Sequence, residues 1–75
     1  MMVIVMYDIS ENTSRDNFIK KLRGYGLRRI QKSVFCGFLK LEERFELANN
    51  FDFYLSSDKD SIAIFPFVNH VLIQY

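Results

Sequence analysis

Asp8 stands where the apolar run Met2-Val-Ile-Val-Met-Tyr7 gives out. A carboxylate at the end of a buried strand is held rigidly at the rim of a core. No histidine or second carboxylate is placed beside it to make a triad, a zinc set or an acid/base pair. Mg²⁺ keeps its waters and is bound through one or two carboxylates plus phosphates, so a lone carboxylate holds it weakly. Two copies of Asp8 meeting across a two-fold axis would change that, with a nucleic-acid phosphate and water completing the shell. The alternative is an ordinary turn or helix-entry aspartate.

The second group is basic: Arg15, Lys20, Lys21, Arg23, Arg28, Arg29 and Lys32. Arg15 falls in the first turn of an expected helix, where the helix dipole disfavours a cation and a phosphate would be a matching counter-charge. Asp16 or Glu11 could neutralise it instead. Tyr7 and Phe35 read more readily as packing residues than as base-stacking ones. Cys36 lies on a strand among apolar neighbours and reads as inert core, and His70 sits in a turn with no role. The sequence has no Gly-rich phosphate loop, no nucleophile elbow and no Cys-x-x-Cys.

The elements that position these residues follow from periodicity. The run from Met2 to Tyr7, rich in β-branched residues, predicts a strand buried on both faces. Thr13-Ser-Arg-Asp16 predicts a helix start with Thr13 as N-cap. Phe18, Ile19, Leu22 and Tyr25 follow at helical spacing, and Gly24 and Gly26 bracket the stop. Leu27 to Leu39 predicts two strands, about 27–31 and 33–39, joined by a tight turn or bulge. Leu41 opens a second helix with Phe45 and Ala48 inward, supplemented by Leu47 and Phe51, and with Glu42, Glu43, Arg44 and Glu46 outward. Ser56 to Asp60 is a loop, Ser61 to Phe65 a strand closed by Pro66, Asn69-His70 a turn, and Val71 to Tyr75 a last short strand. The order is βαββαβ with one strand added: an α+β, ferredoxin-like antiparallel sheet with two helices on one face. Two helices leave the second apolar face uncovered, and a second copy of the same sheet is the simplest cover.

At 75 residues the chain makes a single domain. With 49% apolar and 25% charged residues, disorder is excluded. One cysteine rules out disulfide and zinc-finger scaffolds. No apolar run is long enough to span a bilayer and no signal peptide is apparent, which leads to the expectation of a cytoplasmic protein. The net charge of +1 hides an asymmetry: residues 1–40 carry +5 and residues 41–75 carry −4. A basic half suits an anion such as nucleic acid, although solvated surface would give the same distribution.

Tyr7-Asp8-Ile9 at a strand end, then a basic helix, then Gly26-Leu-Arg-Arg-Ile-Gln-Lys-Ser-Val-Phe-Cys-Gly37 and Asp60-Ser-Ile-Ala-Ile-Phe-Pro66, together resemble the Cas-two family of CRISPR-associated proteins. The resemblance implies homodimers of ferredoxin-like subunits stacked through their sheets. It implies a place in the spacer-acquisition complex that captures foreign DNA, with a Cas-one integrase as partner. It also implies a Mg²⁺-dependent endonuclease acting on single-stranded RNA or double-stranded DNA. Carried over, the catalytic and metal-binding residue is Asp8, and the nucleic-acid-binding positions are Tyr7, Arg15, Arg29, Ser33 and Phe35. Asn17 departs from those members that have a second arginine two residues after the first helical one. A non-catalytic DNA scaffold for the integrase and a toxin-type endoribonuclease resembling virulence-associated protein D are the alternatives. A regulatory module for a small effector lacks a pocket signature.

Overall fold

The computed structural model describes residues 1–67. Its first strand, β1 (Met2–Asp8), lies at the centre of a four-stranded sheet. Helix α1 (Asn12–Gly24) follows, then β2 (Arg28–Gln31), β3 (Val34–Phe38), helix α2 (Leu41–Asn49), a 3₁₀ turn at Phe51–Phe53 and β4 (Ser61–Pro66). The strand order is β2-β3-β1-β4 and every neighbouring pair is antiparallel. The expected ferredoxin-like βαββαβ architecture is present. The expected turn at Asn69-His70 and the added strand Val71 to Tyr75 lie outside the described residues.

Alternation along β1 divides the sheet into two faces. Val3, Val5 and Tyr7 are buried and join Phe35 of β3, Phe18 and Leu22 of α1, and Leu47 of α2 in one core. Burying each such side chain is worth about 1.5–3 kcal/mol, so this face fixes the register of everything near Asp8. The other face carries Met2, Ile4 and Met6, paired with Phe38, Cys36 and Val34 on one side. On the other side, Ile4 and Met6 pair with Phe65 and Ala63. Phe38 and Phe65 remain 61% and 47% exposed, so this second face is apolar and open.

The N-cap of α1 is Glu11, not Thr13. Its carboxylate accepts from the backbone N–H groups of Thr13 and Ser14 at 2.9 and 2.7 Å. These bonds hold its pKa below the ordinary carboxylate value. The longer side chain folds back over the helix end, which starts the helix before Thr13 and leaves Asp16 out of any capping box. At the other end, Leu27 N–H donates to Leu22 O and Gly26 N–H to Arg23 O, the paired bonds of a Schellman stop. Gly26 sits at φ +84°, where a side chain would be strained.

Between β2 and β3 the predicted irregularity is a register shift between Arg29 and Gln31. The turn that follows places Ser33 at φ +66°. In α2 the inward face differs from expectation. Leu47 is buried and Arg44 half-buried, whereas Phe45 is 53% exposed. Phe51 and Tyr54 in and after the 3₁₀ turn pack on Phe18, at centroid distances of 6.1 and 5.0 Å. Phe51 thus packs against the core as expected, whereas Phe45 does not.

Candidate functional site: an acidic strand end and a basic groove on opposite faces

Tyr7 and Asp8 are neighbours on β1, so the pleat sends them to opposite faces. Tyr7 is buried, edge-on to Phe18 at 5.5 Å and tilted on Phe35 at 6.2 Å. Its hydroxyl reaches the helix side of the sheet end, where it accepts a long hydrogen bond of 3.4 Å from Arg29 Nη2. There Tyr7, Arg15, Ile19, Arg29, Lys32 and Ser33 line an open pocket of about 320 Å³. Four of the five nucleic-acid-binding positions named from sequence thus meet in one place, supplied by β1, α1, β2 and the turn before β3. Lys32 and Ile19 complete the lining.

Arg15 is fixed by neutral oxygens. Its Nη1 donates to Ile9 O at 3.2 Å and its Nη2 to Asn12 Oδ1 at 2.6 Å. Glu11 spends its carboxylate on the helix cap, so the positive charge of Arg15 stays available to an anion. Ser33 takes its place through its backbone: its carbonyl accepts from Tyr7 N–H at 3.1 Å. Phe35 is wholly buried, so a nucleobase cannot stack on it. It works from beneath, because the guanidinium of Arg29 lies 5.3 Å from its ring centroid and that of Arg23 5.9 Å. Contacts of this kind hold cations by the ring quadrupole and by covering apolar surface. The role of Arg23 could not be read from sequence, since the contact joins a helix to a strand beyond the next turn.

Asp8 is exposed on the open face, opposite Ser61 in the β1–β4 register. Met6, Tyr7, Asp8, Ser61, Ala63 and Phe65 line a shallow hollow of about 320 Å³ around it. The hollow around Asp8 thus includes neither Arg15 nor Arg29, which line the pocket on the helix side. Among the described residues no group of three or more His, Cys, Asp or Glu side chains gathers to hold a metal ion. Asp8 is a single exposed carboxylate at the margin of an open apolar face.

A second carboxylate, Asp60 at the head of the stretch that runs to Pro66, organises the loops beside this strand end. Asp60 accepts from Ser10 N–H and Oγ at 3.1 and 2.9 Å, from Ser56 N–H and Oγ at 2.9 Å each, and from Ser57 Oγ at 3.1 Å. The Ser56 N–H bond, with Ser10 adding to it, holds this carboxyl far below the ordinary range. It clips the exit of β1 to the loop that enters β4, which positions Asp8 opposite Ser61. The only sequence signal is a cluster of serines around an aspartate.

Residues 1–72 match the family described as CRISPR associated protein Cas2. Over 66 residues the chain is 39% identical to a CRISPR-associated endoribonuclease Cas2 of Archaeoglobus fulgidus, covering 88% of this chain and 70% of that one. It is 43% identical over 65 residues to a Cas1/Cas2 endonuclease fusion of Thermoproteus tenax, covering 87% of this chain and 25% of the fusion. The fold superposes on the crystal structure of Streptococcus pyogenes Cas2 with a TM-score of 0.79 at 24% identity, covering 93% of this chain and 89% of that one. No helix among the described residues is long and apolar enough to cross a membrane.

Proposed function

The chain belongs to the CRISPR-associated Cas2 family, and from that premise we propose that it is a homodimeric, nucleic-acid-binding subunit of CRISPR defence that cleaves phosphodiesters with Mg²⁺ at paired Asp8 residues. The observation that carries this reading is the exposed Asp8 at the margin of an open apolar sheet face. Two such faces stacked about a two-fold axis bury Met6, Phe38 and Phe65, and bring two carboxylates toward one place. Mg²⁺ bound there would neutralise charge on the scissile phosphate and orient an attacking water. Asp8 from each protomer would hold the ion by charge, which is what so hard a cation needs. Ser61 and the Asp60 clip keep that strand end in position. Arg15, Arg29 and Lys32 bind flanking phosphates from the other face of the sheet, so they anchor the strand without touching the reacting one.

The name of the Archaeoglobus relative supports RNA as substrate. The Thermoproteus fusion supports a working partnership with a Cas1 integrase, and hence a place in spacer acquisition. A second reading, a scaffold that positions DNA for the integrase without cutting it, is favoured by the separation of Asp8 from the basic pocket. A nuclease assay on wild-type and Asp8→Ala protein, with Mg²⁺ and with EDTA, decides between them. Cleavage that needs both Mg²⁺ and Asp8 is expected. Binding without any Mg²⁺-dependent cleavage by the wild type would leave the scaffold, and cleavage that ignores both Asp8 and metal would remove the catalytic assignment.

A further inference from the structure

Beside the pocket of Tyr7, Arg15 and Ser33 lies a second one, of about 390 Å³, lined by Asp16, Ile19, Lys20, Arg23 and Arg29. The two share a wall, since Ile19 and Arg29 line both. Arg15, Ile19 and Arg23 recur every four residues along α1 and so point the same way. Arg23 and Arg29 are held over the same buried Phe35 ring. Two guanidiniums over one ring repel, and Asp16 is the one carboxylate lining the pocket beside them. Such a pair becomes favourable when an anion sits between its members.

We propose that Lys20, Arg23 and Arg29 form a second phosphate seat, so that each protomer holds two successive phosphates of one nucleic-acid strand along the groove between α1 and the β2 edge. The proposal rests on the nucleic-acid reading above and extends it from Arg29 to Lys20 and Arg23, which that reading does not use. Two seats with a common wall suit consecutive phosphates on a single backbone. Phe35 is the platform: it touches no ligand and sets the height and spacing of the two guanidiniums. Asp16 is the dissonant member. A carboxylate on the rim of a phosphate seat opposes the ligand, and its removal must tighten binding if the phosphate is there.

That opposite sign makes the test sharp. Fluorescence anisotropy with a labelled oligouridylate and with a labelled DNA duplex, over a series of salt concentrations, compares wild type with three variants. Lys20→Ala/Arg23→Ala should weaken binding and lower the magnitude of the salt slope by about 0.7 for each single-strand phosphate that the protein no longer neutralises. Asp16→Asn should tighten binding, a gain that partial unfolding cannot imitate. Arg15→Ala/Lys32→Ala should weaken binding through the first seat. Weakening by Arg15→Ala/Lys32→Ala alone would overturn the second seat and leave the nucleic-acid reading standing. Insensitivity to all three variants would overturn both. Weaker binding by Lys20→Ala/Arg23→Ala with no gain in Asp16→Asn would also overturn the second seat, because the missing affinity would then not come from a phosphate beside Asp16. A gain confined to the duplex would overturn the single-strand geometry.

Discussion

Tyr7 and Asp8 show how one peptide unit divides two tasks. The strand pleat turns Tyr7 into the core, where its hydroxyl meets Arg29, and turns Asp8 outward beside Ser61. That division depends on the turn before β3, because Tyr7 N–H donates to Ser33 O. Ser33 holds φ +66°, a conformation that costs a residue with a Cβ about 1–2 kcal/mol and a β-branched one more. Ser33→Val should therefore lower stability by the extra cost of a branched Cβ over that which serine already bears, on the order of 1 kcal/mol, while Ser33→Asn, tolerant of that region, should melt near the wild type. Thermal melting of the two variants checks this, and equal melting temperatures would mean the turn relaxes freely. The motif Tyr-Asp-Ile was legible as a strand end. The left-handed serine in the turn between β2 and β3 was not, since a polar Gln-Lys-Ser stretch fits many turns equally well.

At the scale of elements, helix and strand periods were readable because apolar side chains recur at 3.6 and 2 along the chain. Phe18 and Leu22 on α1, and Val3 and Val5 on β1, are buried as that spacing demands. Glu11 and Phe45 escaped for physical reasons. A capping carboxylate that folds back over two N–H groups leaves no fixed motif, and the 3₁₀ turn that brings Phe51 and Tyr54 onto Phe18 has no period of its own. The Asp60 clip escaped likewise, since it joins residues 50 apart in sequence. It makes a prediction about pH. Asp60 has a folded-state pKa below its unfolded one, so its contribution is fully present above the ordinary carboxylate range and is lost as pH falls below it. Asp60→Asn should lower the melting temperature at neutral pH and flatten the acid limb of the stability profile. At the bottom of that limb the two proteins should converge. Melting curves at a series of pH values from neutral to strongly acid make the comparison, and parallel acid limbs would show that the clip does not set them. Tyr25 sets the opposite limit. Partial burial, and the hydrogen bond its hydroxyl gives Glu46, push its pKa up to about 12. This tie between the ends of α1 and α2 is thus present at neutral pH and weakens only above the ordinary tyrosine range.

For the whole molecule the open sheet face decides what Asp8 can do. Ile4, Met6, Cys36, Phe38 and Phe65 make it a surface that water solvates poorly, and Asp8 lies at its end. Covered by a second copy, each of these side chains gains burial worth up to about 1.5–3 kcal/mol, against an association cost of at least about 4 kcal/mol. A few such residues per protomer are enough, so wild-type protein should scatter light at twice the chain mass at micromolar concentration. Phe65→Glu probes this without disturbing the core, because Phe65 pairs with Ile4 on the open face and is 47% exposed. In a monomer the new carboxylate stays in water, so the melt should remain cooperative. In a stacked pair it would lie among apolar side chains, where an unpaired charge costs more than the packing returns. The variant should accordingly run as a folded monomer. It keeps Asp8 and the whole basic groove, so it should still bind oligonucleotide through each protomer while losing Mg²⁺-dependent cleavage. A monomeric Phe65→Glu that cleaves as well as wild type would show that one Asp8 suffices and that the paired site is wrong. A variant that remains dimeric would move the interface away from this face.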